Sequence, residues 1–293
     1  MTTRPLLYAC QSLSLGLLLT ASAHAKLVEE QFDLPVKARN AWGKVIEQPI
    51  RVTVFTDDSR PGPHPILLLN HGRATEADAR AAMGRARFSE ASRWFAERGF
   101  LVAVPTRIGY GVSGGEDVED SGSCNNRQYP PVYQAAADQS LQLLSMLHAR
   151  PDTRKDRTVL MGQSFGGATA VTLASLNPPG VVAAINVAGG GGGDPKTHPG
   201  DPCSSAQLAR MFASYGKTAR VPMLWLYTEN DLFFGPRHPR DWVARFREAG
   251  GNAEFVQFPP HGEDGHALFS RFPKVWQPVV ADYLRRQGFD LQD

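Results

Sequence analysis

The segment Gly162-Gln163-Ser164-Phe165-Gly166 places a serine between glycines in a sequence of 293 residues. The apolar run Thr158–Met161 leads straight into it, and small residues that can open a helix follow. In a strand–turn–helix of this G-x-S-x-G pattern, the serine hydroxyl is exposed on a sharp turn, and the glycines let strand and helix approach closely. The helix amino terminus also favours negative charge developing in front of the serine. The pattern predicts Ser164 as a nucleophile.

A second serine, Ser113, fits the same pattern in the segment Gly111–Gly115, and the overlapping run Gly109–Gly114 also spells G-x-G-x-x-G. The residues that follow, Glu116–Asp120, are mostly acidic and do not open a helix. An acidic run of this kind would repel a dinucleotide pyrophosphate. We therefore favour Ser164 over Ser113 as the nucleophile and do not expect a dinucleotide site.

A serine hydroxyl needs a neighbouring base to take its proton, and the base needs a third group that orients it. With this type of serine turn, the acid and then the histidine follow the serine along the chain. Asp231 lies just after an apolar strand pattern and is the preferred acid, with Glu229 as the alternative. His266 follows a glycine and precedes the last helical pattern, so it is preferred to His261 as the base.

The negative charge on the tetrahedral intermediate requires two preorganised hydrogen-bond donors. The backbone N–H of Phe165, directly after the nucleophile, is the first candidate. The strand pattern Ile66–Leu69 leads into Asn70-His71-Gly72-Arg73, so the N–H of Arg73 is the second candidate, and His71 is interpreted as a residue that shapes the loop. The side chains of Arg73 and Arg107 either bind a substrate carboxylate or lie on the surface.

A metal site is the alternative interpretation of the acidic and histidine residues near the carboxyl end. These residues are His261, Glu263, Asp264 and His266. Their spacing matches no zinc pattern, so we expect no metal ion there.

Short apolar runs alternate with longer helical patterns over most of the chain. The predicted strands are Ile50–Phe55, Ile66–Leu69, Phe100–Val104, Thr158–Met161, Val181–Val187, Pro222–Tyr227 and Ala253–Phe258. The predicted helices are Ala77–Arg98, Tyr133–Ala149, Phe165–Leu176, Pro239–Ala249 and Phe269–Gln287. This alternation predicts an α/β fold, a mostly parallel, doubly wound sheet with helices on both faces. The segment Leu27–Phe55 carries strands without a helix between them, which favours an antiparallel start.

The first 25 residues resemble a signal peptide, with Arg4, a leucine-rich stretch and small residues around His24. We predict cleavage after Ala25, a single domain over residues 26–293, and export to the periplasm or the medium.

Two cysteines, Cys124 and Cys203, follow the leader, and an even number in an oxidising compartment favours a disulfide between them. The net charge of +2 indicates neither nucleic acid nor an anionic membrane as a partner.

With these pieces in order, the chain resembles an α/β-hydrolase of compact form, similar to the dienelactone hydrolase relatives. The run Arg107–Gly115 and the GQSFGG turn are also similar to the catalytic domains of the prolyl oligopeptidase group. The resemblance implies ester or amide hydrolysis by Ser164, Asp231 and His266, without a cofactor, on a small ester or a short peptide. Dienelactone hydrolases proper carry a cysteine nucleophile where this chain has serine, so their lactone substrate is not carried over. A non-catalytic binding protein on the same scaffold is the alternative from another class; the oligomeric state stays open.

Overall fold

Eight strands form one sheet in the computed structural model, which describes residues 1–2 and 26–291. The strands are β1 (Leu27–Arg39), β2 (Val45–Asp57), β3 (His64–Asn70), β4 (Leu101–Thr106), β5 (Thr153–Gln163), β6 (Val181–Val187), β7 (Met223–Thr228) and β8 (Ala253–Phe258). They lie in the order β1-β2-β4-β3-β5-β6-β7-β8. The pairs β1–β2 and β2–β4 are antiparallel, and every later pair in that order is parallel. The predicted fold class and its antiparallel start are both confirmed.

Helices cover both faces of the sheet, which buries the central strands on two sides. The helices are α1 (Ala77–Ala81), α2 (Ser89–Ala96), α3 (Tyr129–His148), α4 (Phe165–Ser175), α5 (Ser205–Gly216), α6 (Arg237–Glu248), α7 (Leu268–Arg271) and α8 (Pro273–Arg286). Leu68 and Leu160 enter the core beneath α3–α6, whereas Leu67 and Leu69 enter the core beneath α2, α7 and α8. Successive residues of a strand point to opposite faces, so an unbroken apolar run can supply both cores.

The predicted helix Ala77–Arg98 is wrong as one element, because the chain leaves the helix after Ala81 and re-enters it at Ser89. Contacts outside the helix hold the intervening segment. Gly84 has φ +68° and its carbonyl accepts the N–H of Val112 at 3.1 Å. Arg85 Nη1 donates to the side chain of Thr53 at 2.9 Å. These long-range contacts override the local helical pattern.

Two further differences concern helices near the carboxyl half. The helix α5 has no counterpart in the prediction, although Leu208, Met211 and Phe212 are buried along it at helical spacing. The predicted helix Phe269–Gln287 is divided at Phe272, directly before Pro273. A residue that precedes proline is disfavoured in the helical conformation, which accounts for the break.

A disulfide joins Cys124 and Cys203, whose Cα atoms are 5.1 Å apart. It links the segment before α3 to the segment before α5, and the predicted pairing is confirmed. The loop around Cys203 is held further by its N–H, which donates to Gly192 O at 2.9 Å, and by the hydroxyl of Tyr129, which donates to Cys203 O at 2.6 Å.

The predicted signal peptide lies outside the described residues. Among the residues that are described, no helix has the length and apolarity needed to cross a bilayer.

Candidate active site

Ser164 stands on the turn between β5 and α4 in a backbone conformation that non-glycine residues rarely adopt. Its φ and ψ are 56° and −125°, and such strain persists only where the surroundings impose it. The N–H of Ser164 donates to Val187 O at 2.9 Å, and its carbonyl accepts the N–H of Gly167 at 2.8 Å. The turn needs a glycine before it, because a Cβ on Gly162 would lie 2.1 Å from Gly166 O. The glycines therefore permit the tight strand-to-helix turn.

Asp231 and His266 lie on the loops after β7 and β8, and the sheet brings them together. Nδ1 of His266 lies 3.0 Å from Oδ2 of Asp231. The other carboxylate oxygen accepts the N–H groups of Phe233 at 2.8 Å and Phe234 at 3.0 Å. Asp231 is only 1% exposed. The contact with Asp231 orients the imidazole of His266 with the proton on Nδ1 and leaves Nε2 to act.

Asp264, a candidate metal ligand by its sequence position, ties the two loops to each other. Its Oδ1 accepts the N–H of His266 at 2.9 Å and the N–H of Leu232 at 3.0 Å. The ring of Phe233 stacks on the imidazole of His266 with centroids 4.1 Å apart. The sequence signal for this support is an acidic residue two positions before the histidine. Within residues 1–2 and 26–291, no group of three or more potential ligands is arranged to hold a metal ion.

The pKa of His266 reflects two opposed effects. Burial of the imidazole disfavours its charged form, but the negative charge of Asp231 and their hydrogen bond, with a smaller contribution from Asp264, favour it. The net result is a pKa above the ordinary value of 6.5. A higher pKa makes the imidazole a better proton acceptor, at the expense of its neutral fraction at mildly acidic pH.

Ser164 and His266 line one pocket of about 360 Å³, together with the turn after β3. That turn runs directly against the serine, since a Cβ on Gly72 would lie 3.1 Å from the Cβ of Ser164. The N–H groups of Phe165 and Arg73 donate no hydrogen bond within the described part of the chain. Both predicted oxyanion donors are therefore free to bind a ligand oxygen.

The alternative candidates lie in other environments. Ser113 Oγ donates to Thr106 O at 2.6 Å and accepts the N–H of Arg51 at 2.9 Å, so its hydroxyl joins strands. Glu229 lies 3.8 Å from Arg240 at the surface. His261 Nδ1 is engaged by the carbonyl of Pro259 at 2.7 Å. The structure brings none of these three alternatives to the Ser164 pocket.

Arg107 is fully buried, so the surface interpretation of this side chain is wrong. Its guanidinium donates to both carboxylate oxygens of Glu119, at 2.5 and 3.2 Å, and to His71 O at 2.9 Å. The N–H of Arg107 donates to His71 Nε2 at 3.1 Å, and His71 Nδ1 donates to Gly72 O at 2.6 Å. Burial, and then the charge of Arg107, keep the pKa of His71 well below its usual value. The neutral ring thus shapes the turn beside Ser164.

The side chain of Arg73 is also occupied, by a bidentate pair with Asp117 at 2.7 and 2.6 Å. Asp117 and Glu119, the partners of the two arginines, come from the acidic run Glu116–Asp120, which also argues against a dinucleotide site. Their signal is the proximity of that run to the arginines at the ends of β3 and β4. Neither arginine presents an unpaired guanidinium to a substrate carboxylate.

The sheet order and the serine turn together define an α/β-hydrolase fold. Residues 79–282 match the family model described as the dienelactone hydrolase family. The chain belongs to the dienelactone hydrolase family.

Solved structures give the same fold at low identity. An acetyl xylan esterase from Paenibacillus sp. R4 is 16% identical over 89% of this chain and 88% of its own, with a TM-score of 0.59. An esterase from Pyrococcus furiosus is 13% identical over 88% and 91%, with a TM-score of 0.56. An acylaminoacyl peptidase from Pyrococcus horikoshii is 12% identical over 90% of this chain and 43% of its own, with a TM-score of 0.59. Among curated proteins, no sequence matches this chain.

Proposed function

We propose that the protein hydrolyses carboxylic esters through an acyl-enzyme on Ser164, with His266 as base and Asp231 as the residue that orients it. These three residues are called the proposed triad below. The observation that carries the proposal is the strained Ser164 turn facing the same pocket as a histidine that is bonded to a buried aspartate. Membership of a hydrolase family supports the same class of reaction.

In the first half-reaction, Ser164 Oγ attacks the ester carbonyl carbon while Nε2 of His266 takes the hydroxyl proton. Asp231 stabilises the imidazolium without itself becoming protonated. The N–H groups of Phe165 and Arg73 hold the oxyanion, and one such donor contributes about 3–4 kcal/mol. His266 then protonates the leaving alcohol. Water repeats the sequence on the acyl-enzyme and releases the acid.

The first test is to treat the protein with a fluorophosphonate, which reacts with an activated serine, and to locate the adduct by peptide mass spectrometry. We expect the label on Ser164 and its loss in His266→Ala. The matched control is Ser113→Ala, which removes the other serine of the same sequence pattern and should leave the label in place. Labelling of Ser113, or no labelling of the folded protein, would contradict the proposal, and the latter result would favour the binding-protein alternative.

Amide hydrolysis is the closest alternative, because the same triad could also cleave a peptide bond and the acylaminoacyl peptidase shares this fold. An ester and an amide with the same acyl group separate the two. We expect turnover of the ester to exceed that of the amide by more than their difference in intrinsic reactivity.

We also propose that the protein is exported. The Cys124–Cys203 disulfide supports an oxidising compartment. Amino-terminal sequencing of protein recovered from the periplasm or the medium should begin at Lys26, and recovery of the uncleaved chain from the cytoplasm would contradict export.

A further inference from the structure

The segment that interrupts the predicted first helix lies against the Ser164 pocket. Met83, Ala86 and Phe88 from this segment line the pocket, and Phe233 lines it from the loop that carries Asp231. These four side chains are called the apolar wall. In a continuous helix, Phe88 would lie on a different face from Met83 and Ala86 because residues two or five apart do not share a face. The chain leaves the helix between α1 and α2, and all three side chains line the pocket.

The backbone of the wall is fixed before any substrate arrives. The N–H of Ala86 donates to Thr106 Oγ1 at 2.9 Å, and the carbonyl of Gly84 accepts the N–H of Val112 at 3.1 Å. Phe88 adopts a left-handed conformation with φ +45°, and its ring packs edge-on against Phe269 at 5.3 Å. A strained residue held by long-range contacts marks a rigid, preformed surface.

The charged residues near the wall do not compete for a polar ligand. The guanidinium of Arg73 is paired with Asp117 through two hydrogen bonds. Arg87, which also lines the pocket, is paired with Glu29. Two other polar side chains of the lining are also bonded: Gln163 Nε2 donates to His266 O at 3.2 Å, and both ring nitrogens of His71 are occupied. Apart from Ser164, His266 and the proposed oxyanion donors, the lining is therefore suited to hydrocarbon.

The size of the pocket limits the group that it can accept. An apolar cavity of about 150 Å³ holds a benzene ring, whereas this pocket measures about 360 Å³. It therefore has room for the reacting ester and for an apolar group of about ring size. We propose that the apolar wall binds a compact hydrocarbon group of the ester, an alkyl chain or an aromatic ring, and so selects apolar esters over acetates of small alcohols. This inference rests on the proposed function.

Two isomeric esters test the inference and show which side of the ester enters the pocket. Methyl hexanoate and pentyl acetate each add four methylene groups to methyl acetate, on the acyl side and on the alcohol side. With about 0.8 kcal/mol for each of four buried methylenes, kcat/KM of the isomer that fills the wall should exceed that of methyl acetate by ~200-fold. If kcat/KM of neither isomer exceeds that of methyl acetate, the inference is wrong.

Ala86→Leu assigns the preference to the wall, and Ala82→Leu is its matched control. Ala86 is buried in the pocket lining, whereas Ala82 is exposed in the same segment and does not line the pocket. Ala86→Leu should lower the ratio of kcat/KM for the preferred isomer to that for methyl acetate by about tenfold or more. Ala82→Leu should leave that ratio unchanged. An unchanged ratio in folded Ala86→Leu would overturn the assignment.

Met83→Ala provides a second variant in case Ala86→Leu does not fold. It enlarges the pocket, so the preference should move towards esters with longer chains. If the preference does not move, the proposed role of the apolar wall is contradicted. Fluorophosphonate labelling of Ser164 and turnover of methyl acetate test the proposed function separately. Labelled, active protein without chain preference refutes only the inference, whereas unlabelled, inactive protein refutes both.

Discussion

The proposed triad has a counterpart elsewhere in the structure, a second group of serine, histidine and aspartate with different surroundings. The second group, called the surface trio, consists of Ser205, His238 and Asp201. Ser205 Oγ lies 2.7 Å from His238 Nδ1, and His238 Nε2 lies 2.9 Å from Asp201 Oδ1. Both links of the surface trio are hydrogen bonds, whereas the proposed triad is joined by the His266–Asp231 contact at 3.0 Å and by the pocket that Ser164 and His266 share. The difference between them lies in backbone, burial and remaining donors.

The serines differ in conformation and in how their hydroxyls are used. Ser164 occupies the strained turn before α4, whereas Ser205 is the first residue of the regular helix α5. The hydroxyl of Ser205 also accepts the indole N–H of Trp242 at 3.2 Å. A hydroxyl that joins two elements in this way is held as a structural link, whereas the Ser164 turn presents its hydroxyl to a pocket.

The aspartates differ in exposure. The side chain of Asp231 is fully buried, whereas that of Asp201 is 72% exposed. Water screens an exposed ion pair, so Asp201 has little influence on its histidine. The comparison shows that the residue types and their contacts do not define a catalytic site by themselves. A buried acid, a strained serine and free oxyanion donors are also needed.

The largest expected effect comes from removing each serine in turn. Ser164→Ala should lower kcat on an ester by on the order of 10³–10⁶-fold, because the attacking atom is lost while the oxyanion donors remain. Ser205→Ala should keep kcat near the wild-type value. Steady-state kinetics measures both, with circular dichroism to check the fold. Comparable losses in the two variants would mean that the surface trio takes part in the reaction.

The aspartates should separate the two groups almost as strongly. Asp231→Asn should lower kcat by about 10⁴-fold, because the amide no longer holds the imidazole in the required tautomer. Asp201→Asn removes an exposed carboxylate and should have little effect on kcat. Because His266 acts as the base in both half-reactions, pre-steady-state kinetics should show that Asp231→Asn slows acylation and deacylation alike. A mild defect in Asp231→Asn would show that another group orients His266.

The pH dependence of kcat/KM should follow His266. Only the neutral imidazole accepts the serine proton, so kcat/KM falls as pH drops through the pKa of the free enzyme. Because this pKa is raised, the midpoint of the acidic limb should lie above 6.5. In Asp231→Asn the favourable charge is lost, and the midpoint should move to lower pH. His238→Gln, in the surface trio, should not move the midpoint. A shift in that variant would mean that His238, and not His266, sets the acidic limb.

The smallest effect on kcat is expected from the disulfide, which lies beside the surface trio. Replacing Cys124 and Cys203 together by alanine should lower the free energy of unfolding by about 2–4 kcal/mol, because the crosslink restricts the unfolded chain. The proposed triad stands on other loops, so kcat at a temperature where the variant is folded should stay close to wild type. Denaturant unfolding and kinetics on the same samples separate the two effects. A large loss of kcat with intact fold would show that the disulfide positions the pocket.

Local sequence was sufficient wherever one short segment carries its own geometry. The tight turn at Ser164 requires glycines around it, and the continuous apolar strands require helices on both faces, so both features could be predicted. The order of Asp231 and His266 after the serine follows from the strand ends that carry them. The parity of the cysteines after residue 25 was enough to predict their pairing.

Long-range contacts decided the rest. The acidic run Glu116–Asp120 lies close to Arg107 in sequence, but nothing in the run indicates which carboxylate will pair with Arg107 in the core and which with Arg73. The break between α1 and α2 depends on Thr53 and Val112, which lie on other elements, and it creates the apolar wall. The contrast between Asp231 and Asp201 is likewise a matter of burial. Sequence determined the local turns and the alternation of elements because these depend on near neighbours. Tertiary structure alone decided which charges are buried, which hydroxyl faces a pocket and which residues line it.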